Sequence, residues 1–176
     1  SYPDVNAIGY AGSESAVKGL YAAFADRLRN DVGIRLQVVM HDYSSADSIS
    51  CVNVKNSAEL VYWATGVIAG TAVNKSATNM KYDGELSINT EFTQDELTEA
   101  LEKGEWVLHQ VGTEVHVLED INSFTSITDE MGDIFKDNQT IRVIDTRADS
   151  IASIFASKYL GKVPNDKSGR ASLWSD

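Results

Sequence analysis

His109 and His116 stand on either side of Gly112-Thr113, each inside a run rich in β-forming residues, Trp106 to Val111 and Glu114 to Leu118. A two-residue turn at the glycine sets positions 109 and 116 opposite each other across an antiparallel pair, close enough for two imidazoles to share a metal. Zinc would need one or two further ligands, and Glu114 and Glu119 are the nearest carboxylates. The same spacing suits a solvated cross-strand pair, and that reading is preferred. His41-Asp42 closes a second apolar run, with Ser44, Ser45, Ser48 and Ser50 just beyond. A Ser-His-Asp arrangement could be drawn there, in a small-molecule-binding or hydrolytic α/β domain. No serine sits in a Gly-x-Ser-x-Gly elbow, and Gly12-Ser13-Glu14-Ser15 lacks the second glycine. Serine and aspartate after a strand usually bond the local backbone in turns. Glycine-rich phosphate loops are absent, since Gly161-Lys162 runs into Val163-Pro164. Cys51 lies beside Val52 and Val54 and reads as a buried thiol. Arg142, Asp145 and Asp149 form a surface charge ladder on one helix, and the dispersed aromatics read as core or interface anchors. No catalytic, cofactor-binding or metal residue is therefore assigned, and the protein is read as a non-enzyme.

Bulk properties narrow the classes further. The chain has 176 residues, enough for one domain or one and a half, with 43% hydrophobic and 23% charged residues. Its formal charge is −11, from 15 basic and 26 acidic residues, and no basic run interrupts this. A nucleic-acid surface and an anionic-membrane patch are thereby disfavoured. A single cysteine cannot form an internal disulfide and fits folding in a reducing cytoplasm. The longest apolar stretch, Leu60 to Val73, is broken by Thr65, Gly66 and Gly70, so no membrane span is expected. Residues 1–12 lack the features of a signal peptide.

The elements that must carry these side chains can be read from periodicity. Residues 1–12, with Pro3, Gly9 and Gly12, form an opening loop or a short edge strand. Ser13 or Ser15 caps a helix to about Asn30 with Val17, Leu20, Tyr21, Phe24 and Leu28 on one face, ended by Asn30-Asp31 and Gly33. Ile34 to His41 and Ile49 to Val54 read as strands. Ser57 caps a helix buried through Leu60, Val61, Ala64, Val67 and Ile68, whose Gly66 and Gly70 suggest close approach of another backbone. Asp83-Gly84 marks a turn, and Thr93 with Glu96 makes a capping box for a helix to about Lys103, stopped by Gly104. The hairpin follows, then a polar loop over residues 121–132. This is the grammar of a mixed α/β domain, with a boundary expected within residues 119–134.

From Asp137 the apolar residues Ile141, Ile144, Ala148, Ile151, Phe155 and Tyr159 trace one helix face that must be covered. Gly161 stops the helix, and Asp166 or Ser168 caps another that has scarcely begun when the chain ends after Leu173-Trp174. The expectation is a fragment of a longer protein.

Three passages carry a resemblance to a family. Trp63-Ala64-Thr65-Gly66-Val67-Ile68-Ala69-Gly70-Thr71 with Asn74-Lys75-Ser76-Ala77-Thr78-Asn79 resembles the core of contractile tail sheath proteins, as does Leu118-Glu119-Asp120-Ile121-Asn122-Ser123-Phe124-Thr125. Asn138 to Asp145, Lys158 to Asn165 and Gly169-Arg170 are similar to sheath proteins of prophages and phage-tail-like particles from Gram-positive bacteria. The resemblance spans residues 63–174. It implies a sheath core with a subtilisin-like layered α/β part over residues 1–120, followed by a hairpin and a long helix, and the start of a C-terminal sheath domain over 121–176. It also implies a structural subunit, without cofactor, that polymerises helically around a tail tube and contracts to drive the tube through a target envelope. The implied partners are other copies of itself joined by strand exchange, the tail tube protein, and baseplate and tail terminator proteins. The implied location is a virion or phage-tail-like particle, after synthesis in the bacterial host cytoplasm. The chain lacks the family's N-terminal arm and whatever follows Trp174, so by itself it should be monomeric or weakly self-associating.

Overall fold

The computed structural model describes residues 5–175, so the expectation for Pro3 lies outside the described residues. Strand β1 (Ala7–Tyr10) leads into helix α1 (Ser15–Arg27), which loosens into a π turn over Leu28–Val32 and stops at Gly33 with φ of 75°. Neither serine caps α1. Glu14 holds the N-cap position, and its carboxylate accepts from the Tyr10 hydroxyl at 2.7 Å rather than from the helix. Strands β2 (Gln37–His41) and β3 (Cys51–Val54) are shorter than the apolar runs that announced them. A two-residue strand β4 (Glu105–Trp106) completes a four-stranded, all-parallel sheet in the order β1-β2-β3-β4.

Parallel sheets are covered on both faces, and the register here sorts the side chains accordingly. Val38, Met40 and Cys51 turn toward α1, where Ala25, Leu36, Tyr10 and Tyr21 pack with them. Val39, Val52 and Val54 turn the other way onto helix α2 (Leu60–Gly70), meeting Leu60, Val61, Ala64, Val67 and Ile68. Ser57 accepts from Leu60 N at 3.4 Å at the start of α2. Gly66 and Gly70 do not meet another backbone. Space for a Cβ at either is open, because both lie on the outward side of the helix. The close approach occurs at Gly9, where a Cβ would stand 2.4 Å from Thr65 Oγ1.

Asp83-Gly84 closes no backbone hydrogen-bonded turn; Leu86 N donates to the Tyr82 hydroxyl at 3.2 Å, and the Asp83 carboxylate accepts from Trp63 Nε1 at 2.7 Å. Helix α3 (Gln94–Glu102) has both halves of the expected Thr93–Glu96 capping box and ends before Gly104, whose φ is 70°. Strands β5 (Leu108–Val111) and β6 (Glu114–Val117) form the expected hairpin, but Trp106 does not belong to it. Trp106 pairs with Val54 in the parallel sheet. The changeover is enforced by Asn56, whose side chain accepts from Leu108 N at 2.8 Å and donates to Leu108 O at 2.9 Å.

The chain forms two compact units, Ser1–Ile141 and Arg142–Asp176. Helix α4 (Asn138–Ile154) begins in the first and runs through the second, closing in a π turn over Phe155–Tyr159. Within the second unit Gly161 has φ of 71°, and helix α5 (Lys167–Ser175) starts from Asp166, whose carboxylate accepts from Gly169 N at 2.7 Å. The Tyr159 hydroxyl lies 3.2 Å from Ser172 Oγ. The long-helix face expected to be covered is only partly so. Ile141 is buried, whereas Ile144, Ile151 and Phe155 are 41%, 65% and 43% exposed and Trp174 is 91% exposed.

Candidate functional site

Ligand crevices in parallel sheets form at the carboxyl ends of the strands, which is where His41 and Asp42 fall. A crevice there is lined by His41, Asp42, Lys55, Asn56, Asn89, Phe92 and Glu105. Its charges are largely internally matched. Lys55 Nζ lies 2.7 Å from Glu105 and 6.0 Å from the centre of the Phe92 ring, and Asn56 is occupied by Leu108 and Asn89 backbone. Asp42 itself has φ of 48°, and Lys18 Nζ ties down the carbonyls of His41 and Asp42 at 2.7 and 3.2 Å. No hydroxyl or thiol lines this crevice. The Ser-His-Asp arrangement considered above is not assembled, because the serines are engaged elsewhere. Ser48 donates to Asp26 at 2.6 Å, Ser50 accepts from Arg29 Nε at 3.0 Å, and Ser44 and Ser45 lie on the exposed turn after β2.

The hairpin brings His109 and His116 into direct register. His116 Nδ1–H donates to the Asn79 carbonyl at 2.9 Å, which leaves Nε2 facing the Glu114 carboxylate at 3.3 Å. Glu114 is also paired with Lys81 at 2.5 Å. These contacts make His116 and Glu114 part of a surface polar network joining β6 to residues 79–81. Burial, and then the neighbouring His116, lower the imidazole pKa of His109. Among the described residues no group of three or more histidine, cysteine, aspartate or glutamate side chains is placed to hold a metal. Cys51 is buried in the sheet, and burial, with a smaller push from Asp26, raises its thiol pKa to about 12.

The polar group that the sequence did not single out is the buried junction at the start of α4. Asn138 is fully buried. Its side-chain oxygen accepts from Gln37 Nε2 at 2.7 Å, and its amide donates to Asp120 at 3.0 Å. The other Asp120 oxygen accepts from Ala77 N at 2.9 Å. Residues 121–124, expected in a polar loop, are buried as well. Ser123 N donates to Cys51 O at 2.9 Å, and Asp47 accepts from Thr125 N at 2.7 Å and from the Ser126 hydroxyl. Burial alone would raise the Asp47 pKa, but these donors outweigh it and hold the carboxyl below its ordinary value. The available signal was Ile121 and Phe124 standing among the polar residues. The surface carries the contrasting feature, exposed apolar side chains on α4, its π turn and α5.

The chain thus combines a parallel sheet covered by helices on both faces with a hairpin and a trailing helical unit. The chain belongs to the phage tail sheath family. Residues 2–123 match the phage tail sheath protein central domain, and residues 130–176 match the phage tail sheath C-terminal domain. Among curated proteins it is similar to YqbK of Bacillus subtilis, 30% identical over 150 residues, covering 78% of this chain and 32% of that protein. It is also similar to the phage-like element PBSX protein XkdK of Bacillus subtilis, 30% identical over 155 residues, covering 81% of this chain and 33% of that one. The crystal structure of a sheath tail protein from Desulfitobacterium hafniense superposes with a TM-score of 0.91 at 33% identity, covering 98% of this chain and 43% of that one. The chain thus spans about a third of these curated relatives. The anti-feeding prophage helical sheath in its contracted state shares the fold at a TM-score of 0.65 and 14% identity, covering 93% of this chain and 49% of that one.

Proposed function

We propose that the chain is part of a structural subunit of a contractile tail sheath, one that polymerises helically around a rigid tail tube and shortens to drive the tube through a target envelope. The observation that carries this reading is the superposition on a sheath tail protein across 98% of the chain at a TM-score of 0.91. In this reading residues 1–120 belong to the sheath core, with its parallel sheet as the subtilisin-like part, and residues 121–176 open the C-terminal sheath domain. The two family matches, which end at residue 123 and resume at 130, support that division. The partners are further copies of the subunit, the tail tube protein, and the baseplate and terminator proteins that close the two ends of the tail. The role is mechanical and not catalytic. The His41 crevice, which presents no nucleophilic side chain, supports this. The −11 charge fits a surface that packs on protein and does not touch DNA. The subunit acts in a virion or phage-tail-like particle after synthesis in the bacterial host cytoplasm.

Electron microscopy of the full-length gene product, expressed alone and with a tail tube, tests the reading. Tubes or rings are expected. A protein that stays monodisperse at high concentration and fails to polymerise on a tube would overturn it.

A further inference from the structure

On its way into α4 the chain makes an excursion that closes on itself. Asn122 N donates to Lys136 O at 2.9 Å, Asn138 N donates to Asp120 O at 3.0 Å, and Ile121 forms an antiparallel bridge with Asp137. Residues 123–135 are therefore a loop whose two ends meet at a closed neck. Residues 125–130 of that loop are exposed. Side chains lock the neck. Asn122 Nδ2 donates to Phe135 O at 2.8 Å, and Lys136 Nζ donates to Leu101 O at 2.5 Å. Asn138 adds its bonds to Gln37 of β2 and to Asp120. Asp120 accepts in turn from Ala77 N and donates its own N–H to Thr78 Oγ1, each at 2.9 Å.

The clamp is interior. Asp120, Asn122 and Asn138 are at most 1% exposed, and Gln37 is 5% exposed. Buried polar pairs add little stability over apolar side chains of the same shape. What a bonded set adds is a single geometry, because hydrogen bonds are directional and dispersion contacts are not. A helix start held by apolar packing alone can roll or slide. Bonds from β2 and from residues 120–122, which are themselves tied to residues 77–78, fix where α4 begins. A pull along α4 meets the clamp at residues 136–138 before it reaches the loop, so the loop stays slack while the clamp holds.

We infer that this buried clamp, and not the covalent loop, is the joint through which force passes between α4 and the parallel sheet in an assembled sheath subunit. Gln37 delivers that force to β2, which lies between β1 and β3 inside the sheet. The loop over residues 123–135 bears none of it. The inference rests on the sheath reading, which supplies the load, and deepens it by naming the residues that carry the load.

A cut in the loop tests it. A recognition site for a sequence-specific protease is inserted between Asp129 and Glu130, both exposed, and the folded chain is cleaved there. The two fragments should stay together through size-exclusion chromatography at low micromolar concentration. Asn138→Ala should weaken their association by about ten- to a hundredfold, the cost of stranding buried hydrogen-bonding partners. Val61→Ala, a truncation in the core under α2, should lower Tm and leave that association unchanged. If circular dichroism before cleavage shows Asn138→Ala unfolded, Gln37→Leu replaces it, with about tenfold weakening expected. Fragments that separate on cleavage overturn the inference, as do fragments indifferent to the substitution or weakened as much by Val61→Ala. Tubes of the full-length gene product, cleaved at the same site, should pass through a narrow needle and keep the length of uncleaved tubes in electron micrographs. Cleaved tubes that break where uncleaved ones survive put the load on the loop and overturn the inference. Fragments that separate while uncleaved product still forms tubes remove only the clamp. If uncleaved product forms no tubes, the sheath reading falls and the load goes with it.

Discussion

Replacing Asn138 by alanine perturbs a buried polar junction that ties the first turn of α4 to the sheet. The residue is fully buried, and the substitution removes the 2.7 Å bond from Gln37 and the 3.0 Å bond to Asp120. A buried polar group deprived of its partner costs about 1–3 kcal/mol, more when it is charged. Gln37 keeps its bond to Ile49 O at 3.1 Å, so its share lies at the low end, while the loss at the Asp120 carboxylate lies higher. The expected total is about 2–4 kcal/mol, a large fraction of an ordinary domain's stability. For a chain of this size that corresponds to roughly 5–15 °C in Tm. Urea unfolding followed by circular dichroism measures it, with the midpoint shifting and the slope unchanged. Gln37→Leu removes the opposing donor. The double variant should then cost about 1 kcal/mol less than the two single variants added together, because no amide is left stranded. A loss below about 0.5 kcal/mol for Asn138→Ala, or strict additivity in the double variant, refutes the reasoning.

Other expectations follow from particular geometries. Gly104→Ala forces an L residue to φ of 70° and puts a Cβ 2.9 Å from Ser123 backbone, whereas Gly112→Ala, at φ of 64°, meets open space. The first should cost about 2–4 kcal/mol and the second about 1 kcal/mol in thermal melts. Cys51, with its thiol pushed up to about 12, should be silent to a thiol-specific chromogenic reagent in the native state at pH 8 and react fully in urea. His109 has a folded-state pKa below its ordinary 6.5, so the unfolded chain takes the proton first. Its contribution to stability is therefore present above about pH 6.5 and is lost as pH falls below that value. His109→Gln should flatten that part of the stability profile and otherwise change stability by less than about 1 kcal/mol.

Local chemistry alone determined several elements. Thr93 and Glu96 close their capping box over three residues, Gly112 turns its hairpin and sets His109 against His116, and Asp166 caps α5. Each depends on neighbours a few positions away, so residue type and spacing suffice to read it. Family membership was legible in the same way, from ordered short passages. The tertiary structure decided what depends on distant partners. Trp106 left the hairpin for β3 because Asn56, about fifty residues earlier in the chain, captures the backbone of Leu108. The polar residues Asp120, Asn122 and Ser123 became interior because Cys51, Ala77, Asn138 and Phe135 supply the hydrogen bonds that water would otherwise provide. The four serines after His41 could not be excluded from a catalytic arrangement until Asp26 and Arg29 were found holding two of them. Periodicity marks which face of α4 is apolar, but exposure depends on what else the chain brings to that face. Within these 176 residues Ile144, Ile151 and Phe155 are exposed while Ile141, on the same helix, is buried.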